Sequence, residues 1–511
     1  MANQDTKIGS EYHNATKHSY WSIRRNAHYL DWQDQPYPFK VSTNLEPIPL
    51  PRDLPHSGVP AIEAVAATRV EAQGDVVPDL PTLAHVLYYS AGITKKKTYP
   101  GGEIYFRAAA CAGALYPIEI YVVCGDLPGL EAGVYHFNPG DFALCRLRAG
   151  DYRGILVQAT ANEPSIAAAP VVLVHTAITW RSSWKYQARS YRYHYWDDGM
   201  NLANTLAASA ANKLPTKIVM GFVDDLVNRL VGVDGEQEMS LALAPLGHLS
   251  APPPAPVSEI SDLRLEVRPL SRRQVDYPII RKMHKASSLA TVDEVTAWQG
   301  ASPDLPTLAR TGRVVELHPL DASKLPGEEL ESVIVRRAST RQFAHKSIPF
   351  ESLSTLLDRA TRGFPTDFLE PPGWHLNDLY LSVHAVEGLP PGTYFYHWSD
   401  RTLELLKEGD FRQKACYLCL EQDLGGDSSF TVFYLADLER IFQRYGNRGY
   451  RAAQMEAAII GGKLYLTAYA LRHGATGLTF YDDDVTNFFS PHAQGKSAMF
   501  VTALGAPGRR P

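Results

Sequence analysis

Residues 335–343 read VRRASTRQF, and the rest of the chain can be interpreted from this stretch outward. Arg336, Arg337 and Arg341 place three guanidinium groups within six residues, and Ser339 adds a short hydroxyl group. Planar guanidinium groups bind phosphate through paired hydrogen bonds, which is their commonest buried use. Basic clusters are also common on solvated surfaces. The stretch therefore indicates either a phosphate site or an exposed basic patch, and the accompanying segments decide between them.

Length and composition are those of an ordinary globular protein. The chain has 511 residues, too many for a single hydrophobic core, so at least two domains are expected. The net charge of −5 provides no basic field for nucleic acid. Residues 1–12 lack the apolar region of a signal peptide. The most apolar long run, 452–471, contains Glu456 and Lys463, which favours a buried helix over a membrane span.

The cysteines favour a reducing compartment. There are five, an odd and scattered set, which does not suggest a disulfide framework. Cys416 and Cys419 form a CxxC pair without a second ligand pair, so no metal site is expected. We therefore expect a cytoplasmic protein that contacts neither membrane nor nucleic acid.

The second half of the chain repeats the first at a constant offset of 259 residues. The matched residues include Tyr121 and Tyr380, Gly133 and Gly392, Tyr186 and Tyr445, Arg189 and Arg448, Arg192 and Arg451, and the pairs Asp224-Asp225 and Asp483-Asp484. Agreement at one fixed register indicates a duplicated domain of about 200 residues. Such a duplication is usually the covalent version of a symmetric dimer, in which the copies meet through the same surface.

The repeat divides the chain into four segments. We expect an N-terminal arm over residues 1–60, without clear periodicity, and a first domain over 61–250. Residues 251–330 follow as a Pro-rich linker and irregular connector, beginning with the stiff sequence APPPAP, and the second domain covers 331–511. Hydrophobic patterns predict strands at 118–123, 133–137, 170–176 and 240–246, and helices at 83–90, 189–213, 292–299, 350–362 and 448–471.

Each copy has lost one part of a composite site. At the position that corresponds to the arginine stretch, the first copy reads AATR at residues 66–69. The second copy lacks the stretch 107–117, RAAACAGALYP, and reads TDFLEPPGWHL at 366–376 instead. The small residues of 107–117 permit backbone amides to approach a flat ligand closely. Because the losses are complementary, we expect one site per chain where a symmetric dimer would have two.

These two stretches resemble the motifs of the flavin-dependent nitroreductase superfamily. More narrowly they resemble the SagB-type dehydrogenases, which include the azoline oxidases of thiazole- and oxazole-containing peptide pathways. The resemblance covers nearly the whole chain except residues 257–330. It implies an α+β fold with two nitroreductase-like domains that form an intramolecular pseudo-dimer. The long helices 189–213 and 448–471 are expected at the shared interface, because both are apolar around most of their circumference.

The resemblance also implies which residues bind FMN. The family motif that grips the phosphate and ribityl chain stands here as Arg336, Arg337, Ser339, Arg341 and Phe343. The motif that lies along the flavin from the opposite subunit stands as Arg107, Ala110, Cys111, Ala112, Gly113 and Leu115, with Ala-Cys replacing the usual Pro-Ser. A loop after the long helix, which places backbone N–H groups at the flavin ring, is matched by Gly477, Leu478 and Thr479, and basic C-terminal residues are matched by Arg509 and Arg510.

The resemblance further implies that Lys185 and Tyr186 are catalytic. Azoline oxidases of this family carry a Lys-Tyr pair at the head of the long helix, whereas the second copy has Arg444 and Tyr445. Dehydrogenation needs a hydride acceptor, which flavin supplies, and a base for the proton. A lysine beside a tyrosine can be tuned by burial to act as that base. The alternative is a pair that only packs against its neighbours.

The implied function is FMN-dependent oxidation of thiazolines or oxazolines in peptide natural-product biosynthesis. The substrate would be a peptide- or carrier-bound heterocycle, and cyclodehydratase-type proteins would be partners. One alternative is an NAD(P)H-dependent reductase of nitro groups, quinones or enones, in which Lys185 and Tyr186 are incidental. Another is a non-catalytic scaffold subunit of a biosynthetic complex. The sequence contains no HExxH, GxSxG, GxGxxG or Walker A motif for other chemistries.

Overall fold

The two longest helices, Ser190–Ala211 and Arg448–Ala470, pack against each other at the centre of the fold. Both are buried around nearly their whole circumference, which confirms the expected interface between the two halves. Among the described residues, no helix combines the length and the apolar character needed to cross a membrane. The computed structural model describes residues 2–25, 28–100, 102–251, 255, 260–300, 309–369 and 374–508.

The first half combines an antiparallel sheet with helices. Its helices are α1 (Lys7–Ala15), α2 (Tyr20–Arg25), α3 (Ala61–Ala66), α4 (Leu80–Ala91), α5 (Arg153–Ala159), α6 (Pro164–Ala167), α7 (Thr179–Tyr186), α8 (Ser190–Ala211) and α9 (Asp224–Val231). Its strands are β1 (Pro47–Pro49), β2 (Ile93–Tyr99), β3 (Gly102–Arg107), β4 (Ile118–Cys124), β5 (Gly133–Asn138), β6 (Ala143–Ala149), β7 (Val171–Ile178) and β8 (Glu238–Leu246). The sheet has the order β1-β6-β5-β4-β7-β8, and β2 and β3 form a separate hairpin.

The second half has the same architecture. Its helices are α10 (Pro278–Ala286), α11 (Val292–Trp298), α12 (Leu330–Arg336), α13 (Phe350–Ala360), α14 (Arg412–Leu418), α15 (Asp423–Asp427), α16 (Leu438–Tyr445), α17 (Arg448–Ala470) and α18 (Asp482–Phe489). Its strands are β9 (Arg313–Glu316), β10 (Asn377–Val383), β11 (Gly392–His397), β12 (Thr402–Glu408), β13 (Phe430–Ala436), β14 (Gly474–Gly477) and β15 (Ser497–Gly505). The sheet is antiparallel, in the order β14-β15-β13-β10-β11-β12-β9.

The observed elements confirm the predicted α+β fold with two similar halves. Strands β4, β5, β7 and β8 and helices α4, α8, α11, α13 and α17 lie where the hydrophobic patterns predict them, with ends that differ by a few residues. Short 3-10 helices cover Ala2–Gln4, Trp32–Asp34, Ala112–Ala114, Gln187–Arg189 and Ala322–Lys324. The apolar run 452–471 is the buried helix α17, as predicted.

The N-terminal arm and the connector contain matching helices, which the sequence patterns did not reveal. The carbonyl oxygen of His13 in α1 accepts a hydrogen bond from Arg192 Nη2 at 2.7 Å. The carbonyl oxygen of His284 in α10 accepts one from Arg451 Nη2, also at 2.7 Å. The arm is therefore partly helical, and the connector is more ordered than expected. We infer that the second repeat begins near α10, ahead of the boundary expected at residue 331.

Two buried ion clusters join the halves reciprocally, because each aspartate is bound by arginines of the other half. The pairs are Arg189–Asp482 (2.8 Å), Arg192–Asp482 (2.6 Å), Arg448–Asp224 (2.6 Å) and Arg451–Asp224 (2.9 Å). Burial alone would raise the pKa of Asp224, but the charges of Arg448 and Arg451 outweigh it and lower the pKa to about 2. Asp482 is the structural counterpart of Asp224. The offset of 259 residues would instead pair Asp224 with Asp483, the next residue.

Replacing Asp224 with asparagine should strongly destabilise the protein, because two guanidinium groups would stay buried without a counter-charge. We expect Asp224→Asn to lower the free energy of unfolding by about 3–5 kcal/mol in equilibrium denaturation. The exposed neighbour provides the control, since Asp225→Asn should change it by less than about 0.5 kcal/mol.

The same cluster predicts a pH dependence. The pKa of Asp224 is lower in the folded than in the unfolded state, so its stabilisation is present above about pH 4 and is lost as the pH falls towards 2. Asp224→Asn should flatten this part of the stability curve. An unchanged curve in the variant would mean that other carboxylates cause the acid sensitivity.

Candidate functional site

A cavity of about 400 Å³ lies between the two halves and is lined by residues of α8 and α17. Its volume is in the range of small-molecule sites, roughly 300–1,000 Å³. The first half contributes predicted residues Ala110, Cys111, Ala112, Gly113, Lys185 and Tyr186 to the lining. The second half contributes predicted residues Ser339, Arg341, Gly477, Leu478 and Thr479. The complementary stretches of the two halves therefore meet in one composite cavity.

The loop 110–114 approaches Tyr186 closely, and Gly113 makes this possible. Gly113 adopts a φ of +64°, and a Cβ atom there would lie 2.8 Å from Tyr186 Oη. Both the left-handed backbone and the lack of space favour glycine. Cys111 Sγ accepts a hydrogen bond from the backbone N–H of Tyr116 at 3.1 Å. Burial raises the pKa of the Cys111 thiol well above its usual value, so this cysteine is not a reactive thiolate.

Asp197 of α8 is a lining residue that the sequence analysis missed. Its Oδ1 accepts a hydrogen bond from the backbone N–H of Ala112 at 2.8 Å and so fixes the loop 110–114. Burial raises the pKa of Asp197 to about 7, and its Oδ2 has no hydrogen-bond partner among the described residues. A signal was present in the sequence, because the repeat aligns Asp197 with Glu456, so both long helices carry a carboxyl group at the same position.

Lys185 and Tyr186 end α7, rather than heading the long helix as predicted. Helix α7 ends at Tyr186, because Gln187 adopts a φ of +49°, and α8 begins at Ser190. The ring of Tyr186 stacks on Tyr193 with centroids 4.1 Å apart. Burial, reinforced by Tyr193 and Asp197, raises the pKa of Tyr186 well above 10, so the phenol stays protonated. Burial and then the charge of Arg341 lower the pKa of Lys185, although its side chain keeps access to solvent.

Arg341 and Lys185 provide the cavity with two cationic side chains. Neither forms an ion pair with a carboxylate in the part of the chain that the structure describes. Two cations without a counter-ion in one cavity fit an anionic ligand group such as a phosphate. This arrangement supports the phosphate-site interpretation of the arginine stretch for Arg341.

The loop 477–479 is held within the protein by hydrogen bonds of its own. The N–H of Gly477 donates to Tyr465 Oη, which also lies 3.5 Å from Ser339 Oγ. The N–H of Leu478 donates to the carbonyl oxygen of Val501 at 3.1 Å. The backbone N–H groups of Gly477 and Leu478, expected at the flavin ring, are therefore engaged elsewhere. Thr479 Oγ1 and Tyr193 Oη are 3.4 Å apart.

Two of the predicted arginines do not line the cavity. Arg336 Nη2 donates to Glu328 at 2.6 Å and to the carbonyl oxygen of Tyr469 at 2.8 Å. Arg337 donates to the carbonyl oxygens of Arg107 and Ala108 at 2.8 and 3.1 Å. Arg337 thus ties the arginine stretch of one half to the stretch 107–117 of the other. Because both guanidinium groups have protein partners, their binding to phosphate stays a prediction.

Four further predicted positions also lie away from the lining or outside the described residues. The guanidinium group of Arg107 donates to the carbonyl oxygens of Pro38 and Ile118 at 2.8 and 3.4 Å, which anchors the start of the stretch 107–117. Leu115 follows the lining loop without being part of the lining itself. Arg509 and Arg510 lie outside the described residues.

The pseudo-symmetric counterpart of this cavity is closed by the chain itself. Asp367 accepts hydrogen bonds from the backbone N–H groups of Met220 and Gly221 at 2.9 and 2.7 Å. By the register of Asp224 and Asp482, Met220 and Gly221 are the counterparts of Leu478 and Thr479, which line the open cavity. A carboxylate of the protein therefore occupies the backbone donors at this position. Among the described residues, a cavity of about 10 Å³ lies beside Glu456, the counterpart of Asp197.

Helix α11 of the connector completes this closure. Trp298 packs on Phe368 and Tyr445, with ring centroids 6.1 and 5.4 Å apart. Gln299 Nε2 donates to Asp367 Oδ2 at 3.2 Å. The sequence did not reveal a role for the connector. In the structure it covers the pseudo-symmetric counterpart of the open cavity.

Two sequence comparisons assign the family. Residues 334–504 match the model of the nitroreductase family. The nitroreductase-family protein MJ1384 of Methanocaldococcus jannaschii is 30% identical over 168 residues, which cover 33% of this chain and 80% of that protein. The chain belongs to the nitroreductase family. Members of this family are typically FMN-dependent oxidoreductases.

Other relatives of this nitroreductase-family chain extend the comparison. A crystal structure of a nitroreductase-family protein from Anabaena variabilis matches 98% of this chain and 99% of its own, with 25% identity and a TM-score of 0.77. The tandem arrangement therefore has a counterpart over the full length. The trifolitoxin-processing protein TfxB of Rhizobium leguminosarum bv. trifolii is 32% identical over 162 residues, which cover 30% of this chain and 43% of TfxB. The chain thus spans less than half of TfxB.

The residues of the cavity fit the flavin that is typical of the family. Arg341 provides charge for a phosphate, and Gly113 allows the loop 110–114 to lie close to a flat ring. Trp196 and Phe500 add aromatic surface to the walls. Among the described residues, no three His, Cys, Asp or Glu side chains lie close enough together to hold a metal ion.

Gly113→Ala should weaken flavin binding, because the added methyl group would collide with Tyr186 Oη. We expect at least about a tenfold loss of FMN affinity, measured by quenching of FMN fluorescence. Gly58→Ala is the matched control, since Gly58 has a φ of +66° and no atom within 4 Å of its Cβ position. Both variants should lose roughly 1–2 kcal/mol of stability from the left-handed backbone. Equal FMN affinity in the two variants would show that the loop does not contact the flavin.

Proposed function

We propose that this nitroreductase-family chain is an FMN-dependent dehydrogenase that oxidises azoline rings in a peptide to the corresponding azoles. The observation that carries the proposal is the position of Lys185 and Tyr186. They line the open cavity, whereas their counterparts Arg444 and Tyr445 lie in the closed half. When bound, FMN supplies the two-electron acceptor for a hydride. The chain must then supply a group that removes the remaining proton.

The pKa shifts of the two side chains have the directions that such a reaction needs. Burial and the charge of Arg341 lower the pKa of Lys185, so its amine loses a proton more readily than usual and, once neutral, can accept the ring proton. The raised pKa of Tyr186 keeps its hydroxyl group protonated, so it acts as a hydrogen-bond donor that orients the substrate. Arginine does not deprotonate in proteins, so Arg444 could not act as the base in the other half.

The similarity to TfxB supports the peptide context. TfxB is named for the processing of trifolitoxin, and the aligned region covers less than half of that protein. By this similarity we propose that the substrate is a heterocycle within a peptide, bound directly or through a carrier. Cyclodehydratase-type partners, which form azolines, would supply it.

A reductase of nitro groups, quinones or enones is the second candidate. The similarity to the nitroreductase-family protein MJ1384 favours it, and the same flavin cavity would serve it. The experiment that separates the two compares a synthetic thiazoline peptide with NAD(P)H. A loss of two hydrogens from the peptide, measured by mass spectrometry, supports the dehydrogenase. Steady NAD(P)H oxidation without that loss supports the reductase, and a purified protein without flavin supports the scaffold alternative.

The closed second position predicts one FMN per chain. Asp367 holds the backbone donors of the second half-site, so a flavin there would have to displace this carboxylate. Flavin released by denaturation should equal the protein concentration, with released FMN determined by absorbance and protein by amino-acid analysis. A ratio near two would contradict the closed arrangement.

Variants of Lys185 and Tyr186 should retain flavin and lose turnover. We expect Lys185→Ala and Tyr186→Phe to lower kcat by about 10²–10⁴-fold, as is typical for the loss of general acid–base groups. In the unaltered protein, the rate should rise with pH and level off above the lowered pKa of Lys185, because the amine must be neutral.

Arg444→Ala and Tyr445→Phe are the matched controls for these variants. Their partners are the carbonyl oxygens of Gln299 and Phe368, so we expect a loss of stability and an unchanged turnover. Full activity of Lys185→Ala with bound flavin would remove the main support for azoline oxidation.

A further inference from the structure

Three large aromatic side chains are exposed within a short segment beside the open cavity. Trp21, Tyr29 and Trp32 are 61%, 88% and 68% exposed. Aromatic side chains normally provide much of the buried apolar area in cores and interfaces. A cluster of exposed aromatic residues marks an interaction site more often than single exposed residues do. We refer to these three residues as the aromatic rim.

The aromatic rim borders both walls of the cavity. On one side, Arg24 of α2 forms an ion pair with Glu421 at 3.0 Å, and the next residue, Gln422, lines the cavity. On the other side, the ring of Trp32 packs edge-on against Trp184, which directly precedes Lys185. The indole Nε1 of Trp184 donates to the carbonyl oxygen of Asp31 at 3.0 Å. A ligand that extends out of the cavity past Lys185 would therefore meet the rim.

The other half shows how the same part of the repeat behaves without an open cavity. Helix α2 follows α1 as α11 follows α10. Trp298 of α11 is only 2% exposed, because it packs on Phe368 and Tyr445 and closes the second position. In the half that keeps the cavity open, the aromatic residues are turned to solvent instead. The internal comparison thus links exposure of the rim to the presence of an open site.

We propose that the aromatic rim is a docking surface for the peptide that carries the reacting ring, and that it holds apolar and acidic residues flanking that ring. This inference rests on the proposed function. The apolar preference follows from the three aromatic side chains, and the acidic preference from a cation within the rim. Arg25 lies over the Trp21 ring at 5.3 Å and forms no ion pair among the described residues.

The size of the rim favours a peptide over a second copy of the chain. An aromatic side chain buries roughly 150–250 Å² when fully covered, so three partly exposed ones offer roughly 400 Å². A stable protein–protein interface buries about 800 Å² on each partner. The rim alone is thus too small for a stable dimer, whereas a short extended peptide that is also anchored in the cavity needs no larger area.

The test compares an isolated thiazoline with two thiazoline peptides of equal length. The probes are an isolated N-acetyl thiazoline carboxamide, a peptide whose thiazoline is flanked by Leu, Phe and Glu, and a peptide of equal length flanked by Gly and Ser. Turnover is measured as the mass loss of two hydrogens. The variants are Trp21→Ser, Tyr29→Ser and the double variant, since neither side chain belongs to the core. Trp374→Ser, which removes a 42% exposed tryptophan of the second half, is the matched control.

The proposal predicts a selective effect on the apolar, acidic peptide. In the double variant its KM should rise about tenfold or more, since two aromatic contacts with the peptide are lost. The kinetics of the isolated thiazoline, the flavin absorbance spectrum and the behaviour of Trp374→Ser should not change. Equal KM values for the two peptides in the unaltered protein, or an unchanged KM in the double variant, would overturn it.

Direct binding keeps the test independent of catalysis. Fluorescence anisotropy with a labelled apolar, acidic peptide should give about a tenfold weaker Kd for the double variant. If the unaltered protein binds this peptide but oxidises none of the three substrates, the proposed function fails and the docking surface stands. If gel filtration shows a dimer that the double variant abolishes while the peptide Kd is unchanged, the rim joins two copies and the proposal is wrong.

Discussion

The reciprocal binding of aspartate and arginine across the two halves is the constraint on which the rest of the structure depends. Asp224 and Asp482 are buried, and each is held by two guanidinium groups from the opposite half. A buried carboxylate without these partners would be strongly unfavourable, so neither half can bury its own aspartate alone. The exchange holds α8 against α17 and fixes the position of every element at the interface. The composite cavity exists because this register is fixed.

The asymmetry of the two halves follows from what fills the space beside the long helices. On one side a cavity stays open beside a loop of small residues and the cations Lys185 and Arg341, which form no ion pair among the described residues. On the other side Asp367 binds the backbone donors and Trp298 packs beside it. Burial of these groups replaces the contacts that a second ligand would make. In the described part of the chain, the interface between the halves is therefore kept while the two composite positions differ.

Burial also sets the electrostatic character of the open cavity. It raises the pKa values of Tyr186 and Asp197 and lowers that of Lys185, because the charged form of each group is disfavoured away from water. Arg341 adds to the effect on Lys185. The site therefore combines the protonated phenol of Tyr186 with the amine of Lys185, which loses its proton more readily than usual. The two groups do not form an ion pair with each other.

The sequence by itself determined the duplication and the α+β class, and it predicted a composite site from two complementary stretches, because a repeat and its local losses are patterns along the chain. Tertiary structure alone decided the rest. Arg336 donates to Tyr469 and Arg337 donates to Arg107, and both partners lie far away along the chain, so no spacing rule could separate these arginines from Arg341. Asp197 stands beside Asp198 in the sequence, and only the fold shows that Asp197 lines the cavity whereas Asp198 binds His175. The closing role of the connector was invisible because it depends on contacts between residues that only the fold brings together.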